Sequence, residues 1–169
     1  TLLKRISLHG QKQLQEQQQR FRKYCSPLNT SNNASSKKSY FLKMNKQVKR
    51  QACRALLLNN KDELLLIAIQ EPGTEYRFWI TPGGGRKDDE SAESALRREL
   101  SEELHLDEFE MGPHVWNRRH IFTWEDNHYD QREAYYLIKV EDFNPGGFSR
   151  LEEIEKRCFL SFRWWPLEE

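Results

Sequence analysis

Arg98-Glu99-Leu100-Ser101-Glu102-Glu103 sets three carboxylates at positions i, i+3 and i+4. On an α-helix these positions are neighbours, and their side chains converge. Three converging carboxylates repel one another unless a cation lies between them. Hard divalent cations such as Mg²⁺ or Mn²⁺ take an all-oxygen donor set of this kind. Upstream, Thr81-Pro82-Gly83-Gly84-Gly85 is a flexible turn whose backbone can approach a ligand closely. A glycine turn feeding a helix with an acidic face suits chemistry on a phosphate ester or anhydride. The plain alternative is a solvated helix laced by ion pairs such as Glu93 to Arg97 and Arg98 to Glu102.

The elements that must position these residues can be read along the chain. Ser91 to Leu104 predicts a helix, and Asp88, Asp89 and Glu90 suit the positive end of its dipole. Ala92, Leu96, Leu100 and Leu104 form an apolar stripe at i+4 spacing. At about 100° per residue, Glu99, Glu102 and Glu103 form an arc beside that stripe, with Glu103 closest to the buried side. The carboxylates should therefore sit half-sunk at the lip of a cleft. Strands are expected at Val48 to Leu58, Glu63 to Gln70, Tyr76 to Ile80, His114 to Trp124, Gln131 to Val140 and Phe159 to Trp165. ELLLIAIQ is apolar enough to be a central strand covered on both faces. Asn59 to Asp62 suits a hairpin turn. Glu125 to Asp130 reads as a polar link, and Leu151 to Lys156 as a helical turn.

The wider spacing carries a family resemblance. Gly84, five residues, Glu90, seven residues, Arg98-Glu99, an apolar residue, any residue, Glu102-Glu103, any residue and a final pair resemble the signature of the Nudix hydrolases. Eight of its nine defined positions match; the departure is His105, where the family has Gly before an apolar residue, here Leu106. That Gly sits just past the helix in a left-handed conformation, which His tolerates at modest strain. The resemblance runs from about Met44 to the C-terminus. It implies an α/β/α sandwich around a mixed β-sheet. It also implies a Mg²⁺ or Mn²⁺ site at Glu99, Glu102 and Glu103, with one of these serving as base. Arg98 orients the carboxylates, Glu90 supports them, and the carbonyl of Gly83 or Gly84 adds a metal ligand. The substrate expected is a nucleoside diphosphate linked to another moiety, cleaved by water at phosphorus. A second class of reading is a catalytically silent Nudix fold that senses a nucleotide or RNA; it predicts loss of the carboxylate trio, which is intact here. The residues past the signature match neither the Pro of ADP-ribose enzymes nor the Tyr of dinucleoside polyphosphate enzymes, since Phe122 stands there.

Outside the signature, Glu133 is a candidate accessory metal ligand or base, with Glu125 and Asp126 behind it. Arg86, Arg118 and Arg119 are candidates for gripping phosphate. Phe122 belongs to an aromatic set of which one or two members stack on a base and most pack the core. Trp79 is expected under the glycine turn, and Trp164-Trp165 at the close of the sheet.

The charge is lopsided. Residues 1–50 hold 12 Lys and Arg against one acid, and residues 51–169 hold 15 against 25. Residues 1–43 therefore read as a basic appendage joined to an acidic domain at 44–169, and Ser26 to Lys38 has almost nothing to bury. Three readings of the appendage stand: a targeting sequence, a nucleic-acid or membrane-surface tether, or an early assigned start with Met44 the true first residue. Three widely spaced cysteines, Cys25, Cys53 and Cys158, match no disulfide framework or zinc pattern. They fit a reducing, cytoplasm-like compartment. No apolar run approaches a membrane span, and homo-oligomers stay open.

Overall fold

The computed structural model describes residues 47–71, 73–124, 127–147, 150–151 and 153–167. The expectations for residues 1–43, Met44, Glu125 and Asp126 lie outside the described residues. The elements are β1 (Gln47–Leu58), β2 (Glu63–Gln70), β3 (Arg77–Ile80), α1 (Ala92–Leu104), β4 (His114–Trp124), β5 (Asn127–Lys139), α2 (Glu153–Lys156) and β6 (Phe159–Pro166). They form one mixed sheet in the order β3-β2-β1-β5-β4, with β6 also paired to β2. The β1–β5 pair is parallel, from Gln47↔His128 to Leu58↔Lys139, and the others are antiparallel.

Period-two alternation decides what each face of the sheet carries. Cys53, Ala55 and Leu57 of β1, Leu65, Ile67 and Ile69 of β2, and Ile138 of β5 share the core with Ala95, Leu96, Leu100 and Leu104 of α1. The apolar stripe of the helix thus lies on the sheet. The opposite face takes the intervening residues, including Ala52, Arg54, Glu133 and Tyr135.

β5 corrects the expected polar link. It starts at Asn127, and its register with β4 runs from Trp124↔Asn127 to His114↔Tyr136. Pairing with β4 on one side and β1 on the other satisfies the backbone of residues 127–130, which outweighs their polar composition. Trp79 meets Trp165 edge-on at 5.3 Å. The registers Ala68↔Trp79 and Leu64↔Trp165 put both rings on one face of β2.

Both ends of α1 are capped. The Ser91 hydroxyl accepts from the Ser94 N–H at 3.0 Å. At the far end His105 is left-handed (φ 57°, ψ 28°). Its N–H donates to Ser101 O, the single C′-to-C3 bond of an αL helix ending, and the Leu106 N–H donates to Leu100 O, both at 3.1 Å. Ser91→Ala should cost about 1 kcal/mol of stability, read as a lower urea midpoint with an unchanged slope. No loss would show that the helix start is held by its core contacts alone. Cys53 and Cys158 are both buried. No described helix is long and apolar enough to cross a membrane.

Candidate active site

The glycine turn is strapped to the edge of β1. Cys53 N–H donates to Gly84 O, Ala55 N–H to Pro82 O and Arg86 N–H to Gln51 O, each at 2.9 Å. Gly83 has φ +112°, and a Cβ there would lie 2.4 Å from the Cys53 carbonyl oxygen; only glycine fits. At Gly84 the obstruction is functional, since a Cβ would lie 2.5 Å from both carboxylate oxygens of Glu99. Its absence lets that carboxylate rest on the backbone. Glu103, one turn further along α1, accepts from the Gly83 N–H at 2.7 Å. Both carboxylates are sunk, Glu99 at 9% and Glu103 at 5% exposure, whereas the Glu102 side chain remains 42% exposed.

Arg98 ties the site together. Its Nε and Nη2 donate to the two oxygens of Glu90 at 3.0 Å, and Nη2 also reaches Gly85 O at 3.0 Å. Its Nη1 donates to Glu99 at 2.7 Å and, more loosely, to Glu102 at 3.4 Å. The Arg98 bonds, with the Lys87 N–H, pull the Glu90 carboxyl down to about 2. Glu103 goes the other way. Burial raises it to about 8, with Glu99 adding to the rise and the Gly83 N–H only partly offsetting it.

Among the described residues no three His, Cys, Asp or Glu side chains stand close enough to form a metal cage. The convergence expected from helical spacing is thus not closed: Glu99 and Glu102 turn toward Arg98, whose charge relieves their repulsion, and Glu103 turns toward the Gly83 N–H. The donor chemistry nevertheless fits a hard divalent cation. The carboxylates supply only oxygens, Gly84 leaves a cradle that a Cβ would fill, and the buried Glu103 lacks a cationic partner of its own. The Gly83 carbonyl accepts from Arg54 Nη1 and keeps a second lone pair.

A second polar cluster lies on the sheet face opposite α1. Glu133, 2% exposed, accepts from Arg54 Nε (3.2 Å) and Gln131 Nε2 (2.8 Å) at one oxygen. Its other oxygen accepts from Arg118 Nε (2.5 Å) and the Tyr135 hydroxyl (3.0 Å). Arg118, His120 and Phe122 share this face. Phe122 stacks between His120 (4.9 Å) and Tyr129 (5.1 Å). Burial and the nearby Arg118 hold the His120 ring down at about 4, so it is neutral at pH 7. Arg119 is on the other face, with Nε and Nη2 on Asp130 at 2.7 and 3.0 Å. Arg86 reaches Gln51 and the Glu90 carbonyl instead of open space.

Sequence reasoning missed Arg54, Gln131 and His120 in this cluster. One signal was available for Arg54, a lone charge inside the apolar run ACRALLL. A charge there is tolerated only when paired.

A model of the NUDIX domain matches residues 48–169. Among solved structures, the fold is similar to a MutT Nudix hydrolase from Burkholderia pseudomallei, at 23% identity and TM-score 0.55 over 72% of this chain and 86% of that one. It is similar to the MutT protein from Methanosarcina mazei Go1, at 21% and 0.52 over 73% and 80%. A third is the E. coli dihydroneopterin triphosphate pyrophosphohydrolase, at 13% and 0.52 over 68% and 79%. Among curated proteins no sequence matches significantly. With a domain model spanning most of the chain and the signature helix set against its glycine turn, the chain belongs to the Nudix family of hydrolases.

Proposed function

We propose that this enzyme hydrolyses a phosphoanhydride bond in a nucleoside diphosphate linked to another moiety, with Mg²⁺ or Mn²⁺ as cofactor. The observation that carries the reading is the seating of Glu99 and Glu103 on the Gly83–Gly84 backbone, with Arg98 holding Glu99 from the side. The cation would be held by Glu99, Glu102, Glu103 and the Gly83 carbonyl, and when bound supplies charge neutralisation and a more acidic water. Arg98, locked by Glu90 and Gly85 O, keeps the carboxylates over the turn. One of the three carboxylates takes the proton of the attacking water. The products are a nucleoside monophosphate and the remaining phosphorylated fragment. The similar E. coli fold is that of a pyrophosphohydrolase of a triphosphate, which agrees with this bond type.

The test is a panel of ADP-ribose, nucleotide sugars, dinucleoside polyphosphates and ordinary and oxidised nucleoside triphosphates, each with Mg²⁺, with Mn²⁺ and with EDTA. At least one member should be turned over with metal and none with EDTA. Tight nucleotide binding without turnover would favour the silent sensor instead.

Arg119 serves as a control. Its guanidinium is engaged by Asp130 on the face away from Glu133. Arg119→Ala should change kcat/KM less than about threefold and leave the thermal melt in place, as for exposed pairs. A larger loss in kcat/KM would return Arg119 to the phosphate-gripping set.

A further inference from the structure

The face carrying Glu133 is organised by strand register. Ala52, Glu133 and Arg118 form one row across β1, β5 and β4, Arg50, Gln131 and His120 the next, and Val48, Tyr129 and Phe122 the third. Arg54, Tyr135 and Trp116 complete the lattice on the other flank. On these three strands Arg50, Arg54 and Arg118 share this face with one carboxylate, Glu133.

A proton acceptor or metal ligand needs a lone pair aimed at its target. Glu133 has none to spare, because each oxygen already accepts two hydrogen bonds. What it does have is control over two guanidiniums. Arg54 continues from Glu133 to the carbonyls of Thr81 and Gly83. Glu133 is thus linked through Arg54 to the same glycine turn that receives Glu103. Arg118 is held at Nε by Glu133, and its Nη2 lies 3.3 Å from His120 Nδ1. Its Nη1 has no partner among the described residues. The Arg118 side chain is 21% exposed, so this donor edge is fixed, charged and reachable. The orientation of Gln131 follows from the same centre. Its Nε2 must face the ionised Glu133, which leaves Oε1 buried with no partner. The cluster has unused donors and a surplus of positive charge, the makings of an anion site.

We propose that Glu133 is a positioning residue that aims Arg118 at a phosphate of the substrate, making this face a diphosphate-binding subsite separate from the carboxylates of α1. The proposal rests on the phosphoanhydride reading of the site, and its test is chosen so that each can fail alone. The full chain is titrated with inorganic diphosphate and with ADP in EDTA by calorimetry, and kinetics follow on the best substrate of the panel.

Wild type should bind inorganic diphosphate. Arg118→Ala should weaken that binding about 10-fold or more, as loss of a charged hydrogen bond does. Glu133→Gln should weaken it comparably, and the double variant should be little worse than the poorer single one. In turnover, both single variants should raise KM and leave the pH profile of kcat in place. Unchanged diphosphate affinity in Arg118→Ala overturns the proposal, and this variant carries the test if Glu133→Gln does not fold. Loss of the acidic limb of the kcat profile in Glu133→Gln, or a changed Mg²⁺ dependence, makes Glu133 a base or ligand and also overturns it. Turnover by wild type without diphosphate binding sinks the subsite alone. Diphosphate binding without turnover of any panel member supports the subsite and sinks the assigned reaction.

Discussion

Glu102→Gln should lower kcat by about 10²- to 10³-fold, the loss expected when one charged group facing developing negative charge is removed. Its fold should remain intact. Glu102 is the most exposed of the three helix carboxylates, and among the described residues its one hydrogen bond is the 3.4 Å contact from Arg98. The substitution therefore leaves no buried group stranded, and a glutamine at an exposed helix position costs little. The amide keeps the shape and an acceptor oxygen but loses the charge a hard divalent cation requires. Steady-state kinetics at saturating substrate and Mg²⁺, with a thermal melt as control, decide the matter. Near-normal turnover at saturating Mg²⁺ with an unshifted melt would remove Glu102 from the metal site.

The second large effect concerns stability and pH. Glu103 holds its proton to about 8 in the folded protein because burial disfavours the charged form. The unfolded chain releases the proton near the ordinary carboxyl value of 4.5. Between those values the folded state binds more protons, so stability should fall as pH rises. The loss across the window is on the order of 3–5 kcal/mol. In EDTA the melting temperature should decline from pH 5 to pH 8. Glu103→Gln should match wild type near pH 5, exceed it at pH 8 and show a flatter profile. Added Mg²⁺ should restore stability to wild type at pH 8 far more than to Glu103→Gln, since a ligand of the folded state stabilises it by mass action. Parallel pH curves for the two proteins, with equal responses to Mg²⁺, would show that Glu103 is not the strained group.

Much of the site was legible because α1 reads as a helix from local spacing alone. Leu96, Leu100 and Leu104 face the sheet, and the 3.6-residue period then places Glu99 and Glu103 beside them without further information. The strands at Glu63 to Gln70 and Phe159 to Trp165 were similarly legible from apolar content and flanking turns. Residues 127–130 were not. Their polar side chains point to a link, and only pairing with two neighbouring strands turns them into β5.

The family and the acidic helix with its glycine turn were readable from residue order, because those features are set by residues within a few helical turns of one another. That His105, standing where the family has Gly, takes the left-handed conformation came from the fold. So did the partners of Glu133. Arg54 lies 79 residues away from it and Arg118 lies 15 away, and they meet only because β1 and β4 flank β5 in one register. Local periodicity encodes which face of an element is buried, but it does not encode which distant charge is delivered to that face.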